Sequence, residues 1–338
     1  MSDTPTLQLA ANENPSGMPP AAREAAAQAL AGSDRYPDPA GVRLRAALSA
    51  RLGVHAEAIV LGSGSSEILT LAAHAFVAPG EKVVSSQYGF IVYAQAAKLA
   101  HARHEVVAAR DFGHDLGAMR AAIDADTRLV FVANPNNPTG SFLGGGELLA
   151  FLEQVPAHAV VLLDEAYTEY LTPAQRYDSM GWVRRFPNLL VARTFSKAYG
   201  LAGLRVGYGV GQPALVARLN ALRPRFNITT PALAAAAAAL GDDEYQARSF
   251  ALNFEGREQL TQGFAALGLR SLPSAGNFVM VEAGDAAGVH ASLARQGIHV
   301  ATLEPYGLPR WLRVSVGLPE QNARLLRALA AALHPAND

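Results

Sequence analysis

Apolar runs recur through the first two thirds of the chain, at Ile59–Leu61, Lys82–Ser85, Glu105–Ala108, Leu129–Ala133, Val160–Asp164, Leu189–Arg193 and Leu204–Val210. Most are apolar at consecutive rather than alternate positions, which is the pattern of strands covered on both faces. Between them lie segments whose apolar residues return at helical spacing. Ser63–Ala78 offers serine N-caps and an apolar face through Ile68, Leu69, Ala72 and Phe76, and Gly89–Ala100, Asp115–Ile123 and Gly146–Val155 behave alike. Strand and helix alternating in this way predict an α/β fold with a mostly parallel central sheet covered by helices. Chemical groups then belong in loops at the C-terminal ends of the strands.

The pattern changes after Pro231. An alanine-rich run, Ala234–Ala239, precedes a long helical segment, Asp242–Leu267; strands at Asn277–Glu282 and Trp311–Ser315 and helices at Ala286–Arg295 and Pro319–Leu333 follow. This predicts a smaller α+β unit, so the chain divides into an N-terminal arm (1–20), a large domain (21–240) and a small C-terminal domain (241–338) joined by the N-terminal segment. The Pro- and Asn-rich stretch Ala11–Pro20 reads as extended chain that covers a site or docks on the small domain. There is no internal repeat.

With 338 residues, half of them hydrophobic, two cores are expected rather than one. Lys plus Arg number 28 against 29 Asp plus Glu, so no basic field exists to hold nucleic acid or an anionic membrane surface. No apolar run approaches the ~20 residues of a membrane span, and Met1–Ala11 lacks the basic start and apolar core of a signal peptide. Cysteine is absent, which excludes disulfides, thiolate nucleophiles and Cys-ligated metal, and fits a cytoplasmic protein. His101 and His104 lie three apart without a carboxylate partner and do not read as a metal site.

Only Lys82, Lys98 and Lys197 among those 28 basic residues are lysines. Arginine serves wherever a positive charge suffices, so a retained lysine is a candidate for amine chemistry, since only a lysine amine is deprotonated readily enough to attack a carbonyl. Lys197 stands in Thr194-Phe195-Ser196-Lys197-Ala198-Tyr199-Gly200-Leu201-Ala202-Gly203-Leu204-Arg205, a segment that follows an apolar strand. Its amine, two hydroxyls and guanidinium fit a phosphorylated aldehyde, the amine forming a Schiff base while Thr194, Ser196 and Arg205 satisfy the phosphate. The alternative is a glycine-containing loop with a solvated lysine.

Three further segments bear on that choice. Val160–Asp164 ends in an acid, with Tyr167 three residues on; a carboxylate against a pyridine nitrogen keeps the nitrogen protonated and makes the ring an electron sink. Asp164 as a cap or salt-bridge partner is the competing reading. Asn134-Pro135-Asn136-Asn137-Pro138-Thr139-Gly140 forms a rigid turn able to aim the Asn137 amide at a phenolate oxygen, or is an ordinary Asn-Pro turn. Gly62-Ser63-Gly64-Ser65-Ser66-Glu67 joins a strand to a helix, and its small residues expose backbone amides as an anion cup or serve as a plain capping loop.

Taken together these segments, with Asn12-Glu13-Asn14-Pro15, Arg35-Tyr36-Pro37-Asp38 and Trp311-Leu312-Arg313-Val314-Ser315-Val316-Gly317, resemble the fold-type I pyridoxal-phosphate enzymes. Within them the chain is most similar to class II aminotransferases of the histidinol-phosphate aminotransferase type, over nearly its whole length. The resemblance implies pyridoxal 5'-phosphate as cofactor, Lys197 as Schiff-base lysine and proton shuttle, Asp164 on the pyridine nitrogen, and Tyr167 with Asn137 at the ring oxygen. It implies Tyr88 as the stacking aromatic and Gly64, Ser65, Ser66, Thr194, Ser196 and Arg205 around the phosphate. Tyr36 would reach the neighbouring active site of a homodimer, while Arg313 and Asn14 would bind substrate. The implied reaction moves an amino group from a small amino-acid-like donor to a 2-oxo acid.

One departure concerns the donor. In the resembling family an arginine stands before the Tyr-Gly-hydrophobic-Pro turn and helps bind a substrate phosphate; counting back from Tyr306-Gly307-Leu308-Pro309 puts Ala301 there. A phosphate dianion without that partner binds poorly, so an aromatic or other unphosphorylated amino acid is the expected donor unless Arg223, Arg225 or Arg310 replaces the charge, with Glu304 as a discriminator. Two other functions share these residues. A decarboxylase or lyase on the same scaffold would differ in not needing a keto acid, and a noncatalytic cofactor-sensing regulator would need an appended DNA-binding domain, for which only about twenty residues precede the first helix.

Overall fold

A computed structural model of the chain describes residues 6–333. Among these the strands are β1 (Leu7–Leu9), β2 (Ile59–Gly62), β3 (Lys82–Ser86), β4 (Arg103–Val107), β5 (Thr127–Ala133), β6 (Val160–Asp164), β7 (Leu189–Thr194), β8 (Gly207–Gly211), β9 (Phe278–Glu282), β10 (Ile298–Thr302) and β11 (Trp311–Ser315). Seven form one sheet in the order β2-β8-β7-β6-β5-β3-β4. Within it β4, β3, β5, β6 and β7 are parallel, and β8 runs antiparallel to both β7 and β2.

The consecutive apolar residues of β5, β6 and β7 follow from burial on both sides. Alternate side chains leave opposite faces of a strand, so Val130, Val132, Val161, Leu163 and Val191 join one core cluster. Leu129, Phe131, Leu162, Leu190 and Ala192 join another beneath the helices Ser65–Phe76, Val92–Leu99 and Pro213–Leu222. The second sheet has the order β1-β10-β11-β9 and a separate core through Val279, Val281, Leu293, Leu312 and Leu325, closed by the helices Ala286–Arg295 and Pro319–Leu333. The long helix Asp243–Ala266 packs against that core through Leu260 and Phe264.

Because β2 and β7 both run against β8, the C-terminal ends of β2, β5, β6 and β7 share one edge of the large sheet. The chain before residue 20 returns to the small sheet: β1 pairs in parallel with β10, Leu7 opposite Ile298 and Leu9 opposite Val300. Leu7 and Leu9 are buried in the small core, and the arm beyond them crosses the shared edge.

Two local expectations are corrected. Leu204–Val210 is not continuous strand: Ala202–Leu204 is a 3-10 turn, Arg205 is left-handed (φ 55°), and β8 begins only at Gly207. The serine N-caps expected at residue 63 onward give way to Gly64, whose φ of 77° opens the helix Ser65–Phe76 without a side-chain cap. In both places a backbone turn that brings groups to the sheet edge overrides local propensity. The strands β1 and β10 and the helices Pro20–Leu30, Val42–Leu52, Ser179–Arg185 and Pro213–Leu222 had no counterpart in the apolar pattern; β1 is three residues long, and the first of these helices buries only Ala22.

Leu9→Ala should lower stability by about 2–5 kcal/mol, the usual range for a truncated core leucine. Urea unfolding should show a reduced midpoint at unchanged slope; an unaltered midpoint would mean that β1 contributes little to the small core.

Candidate active site

Lys197, Asp164, Tyr167, Asn137, Ser65, Ser66, Thr194, Ser196, Arg205 and Arg313 meet at the shared strand edge around a cavity of about 380 Å³, floored by the ends of β5, β6 and β7 and roofed by the arm and by β10 and β11. Asp164, the last residue of β6, is 5 % exposed. Its Oδ2 accepts the Tyr93 hydroxyl at 2.9 Å and its Oδ1 the Ala166 amide at 3.2 Å. Burial pushes its pKa up to about 6, against the pull of those two donors and of Lys197, while the neighbouring Glu165 charge adds to the rise. Glu165 is itself fully buried but held by Arg193 at 2.8 Å and by the Ser179 hydroxyl at 3.0 Å, which confines its charge to the far side of the strand.

Lys197 lies in the loop after β7. Its Nζ donates to the Ala11 carbonyl at 2.9 Å and stands 6.0 Å from the Tyr167 ring centroid. Burial first, then Arg313 and Arg205, lower its pKa to about 8, opposed by Glu13 and Asp164. At pH 7 roughly a tenth of such amines are neutral, against about three in ten thousand at the ordinary lysine value. The amine is therefore available as a nucleophile and proton carrier.

At the start of the helix that follows β2, Ser65 and Ser66 line one end of the cavity opposite Thr194, Ser196 and Arg205. The left-handed turn at Arg205 sends its Nη1 to the Ser196 hydroxyl and the Ala202 carbonyl, both at 3.0 Å, and Thr194 Oγ1 donates to Ser196 Oγ at 3.0 Å. The positive φ of Gly64 favours glycine, and a Cβ there would push on the Arg205 guanidinium, 2.2 Å from Nη2. Hydroxyls, a guanidinium and the amide-bearing start of a twelve-residue helix compose a cup for a dianion.

At the other end, Tyr167 is buried, accepts the Asn12 side-chain amide at 3.1 Å and meets Phe278 edge-on, with its pKa pushed up to about 12 by burial. Asn137 accepts from Arg313 through its Oδ1, which leaves its amide nitrogen for the cavity. Arg313, in β11, also donates to the Ala10 carbonyl at 2.6 Å, while its buried Nε has no partner and burial lowers its pKa.

Tyr88, Asn14 and Tyr36 stand apart. Tyr88 does not line the cavity; its ring stacks on Phe112 at 5.7 Å, and Phe90, Ile91 and Tyr93 face the site instead. Asn14 is spent on the fold, donating to the Ala198 carbonyl at 3.0 Å and Ser249 Oγ at 2.8 Å and accepting from the Ser16 amide. Its neighbour Asn12 reaches the cavity, a distinction invisible in the sequence because which of two amides faces inward depends on how the arm is laid down. Tyr36 is 83 % exposed and stacked on Phe226. Tyr93 and Tyr306 also line the cavity; Tyr306 stood in the sequence only as the start of the Tyr306–Pro309 turn, and no local pattern marked Tyr93.

These residues fit pyridoxal phosphate. A buried carboxylate with hydrogen-bond donors but no bonded cation matches a protonated ring nitrogen, the Ser65–Arg205 cup matches the phosphate, and a depressed lysine between them matches the aldehyde.

The fold and this edge-of-sheet site are those of a fold-type I transferase, and residues 4–329 match the family described as aminotransferase class I and II, to which the chain belongs. It is 57 % identical over 331 residues to histidinol-phosphate aminotransferase 2 of Ralstonia nicotianae, covering 97 % of this chain and 88 % of that protein. It is 56 % identical to histidinol-phosphate aminotransferase 1 of Cupriavidus pinatubonensis, over the same shares. Among solved structures, histidinol-phosphate aminotransferase from Sinorhizobium meliloti in complex with pyridoxal-5'-phosphate superposes with a TM-score of 0.91 at 30 % identity, covering 98 % of this chain and 91 % of that one. The protein is a pyridoxal-phosphate-dependent aminotransferase. Among the described residues no helix is long and apolar enough to cross a membrane.

Two measurements probe the site. In the cofactor-free protein a carboxyl whose folded pKa of about 6 exceeds its unfolded 3.8 favours the folded state fully below the lower value and loses that contribution as pH rises through the higher. Asp164→Asn should therefore gain in stability relative to the parent across that window, and a pH-independent difference between the two unfolding curves would contradict it. Gly207→Ala places a Cβ 2.3 Å from the Ser65 amide nitrogen and 2.5 Å from the Gly64 carbonyl carbon, forcing the cup open. Affinity for pyridoxal phosphate, read by absorbance titration, should fall about tenfold or more, the equivalent of 1.4 kcal/mol.

Proposed function

We propose that the protein transfers the amino group of histidinol phosphate to a 2-oxo acid. The observation that carries the assignment is Arg313, a buried guanidinium on the substrate side of the cavity whose Nε lacks a partner. It is suited to an anionic group in each half of the reaction, the phosphate of the amino donor and the carboxylate of the acceptor. The names of the relatives above support that donor.

Bound at Lys197, pyridoxal phosphate supplies an electron-withdrawing ring that acidifies the carbon bearing the substrate amino group. Asp164 holds negative charge against the ring nitrogen. Lys197 Nζ would hold the cofactor and, once displaced by the substrate amine, would be placed to move a proton at the substrate carbon, which its lowered pKa permits. Tyr167 Oη and the Asn137 amide orient the ring oxygen, and Gly64, Ser65, Ser66, Thr194, Ser196 and Arg205 anchor the phosphate. The arm and Phe278 exclude water above Tyr167. In this reading the enzyme works in the cytoplasm as a homodimer, with exposed Tyr36 reaching the neighbouring site. The chain divides into an arm at 1–20, a large domain at 21–240 and a small domain at 241–338; the separate cores of the two sheets support that division, whose ends, 1–5 and 334–338, lie outside the described residues.

A second reading, an unphosphorylated amino donor, is favoured by Ala301. This residue lines the cavity beside Thr302 and Leu303, and none of the proposed replacements does so. Arg223 is bound to Asn227 and the Pro39 carbonyl, Arg225 lies over the Phe226 ring, and Arg310 pairs with Glu282. Glu304 begins the turn beyond Leu303 and does not line the cavity.

A single-turnover screen, following loss of the lysine-bound cofactor's visible absorbance, separates the two. Histidinol phosphate should convert the cofactor faster than any unphosphorylated amino acid, and a keto acid should restore it. Faster conversion by an aromatic amino acid would install the second reading, whereas turnover without any keto-acid requirement would point to decarboxylation or elimination.

A further inference from the structure

Tyr93 has no place in the roles above, yet it is among the largest fully buried side chains of the described residues. It lies in the first turn of the helix Val92–Leu99, is 1 % exposed, and stacks on Phe131 with ring centroids 4.5 Å apart and planes 6° from parallel. Phe90 meets it edge-on at 6.0 Å, and a Cβ on Gly89 would come within 3.1 Å of its ring. A buried ring stacked on Phe131 and met edge-on by Phe90 retains one freedom, the direction of its O–H. That hydroxyl points to Asp164 Oδ2, at 2.9 Å, inside the cavity wall.

Resting on the aminotransferase reading, we propose that Tyr93 is a positioning residue for the cofactor: its phenol keeps the Asp164 carboxylate ionised and turned toward the cofactor ring nitrogen. The physical need is clear from the surroundings. Asp164 is buried at the end of a strand whose other members are all apolar, and its remaining donor is the Ala166 amide at 3.2 Å. The titratable groups around it are Tyr93, Tyr167, Lys197 and Glu165; the Lys197 amine bonds to the Ala11 carbonyl and Glu165 to Arg193, so neither donates to the carboxylate. A carboxylate in such a place stays charged only with hydrogen bonds to it. A protonated Asp164 would be neutral, and the ring nitrogen would lose the charge that holds its proton. Burial and Asp164 itself keep the Tyr93 phenol far above its ordinary pKa, so it remains a donor throughout the working range.

The substitution Tyr93→Phe keeps both ring contacts and removes only the donor. In the cofactor-free full-length protein, carbon-13 NMR of the Asp164 carboxyl should show its midpoint rising by about one pH unit or more, the size of one lost hydrogen bond to a charged group. In the holoenzyme made with ring-nitrogen-15 pyridoxal phosphate, the nitrogen signal should move toward the unprotonated position, and kcat should fall with KM little changed. Site-specific 3-fluorotyrosine at position 93, a more acidic donor, should shift the carboxyl midpoint the other way. If the folded Phe variant leaves the carboxyl midpoint and the nitrogen signal where they are in the parent, the assignment is wrong while the aminotransferase reading stands. If the parent protein fails to take up pyridoxal phosphate at Lys197, the aminotransferase reading falls and this role with it.

Discussion

A single buried charge organises this molecule. Asp164 ends a strand of otherwise apolar residues in the middle of a seven-stranded sheet, where an ionised carboxyl is expensive unless donors and a counter-charge surround it. The neighbourhood supplies them in layers. Tyr93 and the Ala166 amide bond to it directly, Lys197 contributes positive charge from the next strand end, and Arg193 neutralises Glu165 on the opposite side. The carboxyl still sits at about 6, above its ordinary value, which leaves a place for a cationic ring nitrogen.

The N-terminal arm is the second unifying feature. Three consecutive residues meet three different groups of the cavity: the Ala10 carbonyl takes Arg313, the Ala11 carbonyl takes Lys197, and the Asn12 amide reaches Tyr167. Asn14 then ties the arm to the lysine loop and to the long helix, and Gly200 lets it pass, since a Cβ there would lie 2.2 Å from the Gly17 carbonyl. With β1 paired to β10, the arm links the small sheet to the floor of the site. Arg313 on β11 closes this arrangement from above by bonding to Asn137 of the large sheet's β5 loop.

Lys197, Asp164, Asn137, Ser65 and Ser66, which line the cavity, were legible because each lies directly after an apolar strand, so strand assignment and residue chemistry together brought them to one edge. The same reading misplaced residues whose role depends on rotation about a local axis. Tyr88 turns to Phe112 and leaves its helix-side neighbours at the cavity, and Asn12 takes the cavity place expected of Asn14, while Arg205 reaches the cavity as expected but through a left-handed turn inside what reads as strand. On the amino donor the sequence offered one mark, the absence of an arginine at Ala301, and that residue does line the cavity.

The chain's covalent order determined the strand and helix alternation, the placement of polar groups at strand ends, the isolation of one lysine in the loop after β7 and the absence of thiol chemistry, because each follows from periodicity or residue type within a short window. Tertiary structure alone decided strand order, the reversal of β8, the docking of β1 on β10, and the partnership of Tyr93 with Asp164. Those depend on contacts across large separations, 71 residues for Tyr93 with Asp164 and 303 for Asn12 with Ser315, where neither partner leaves a mark on the other's local sequence.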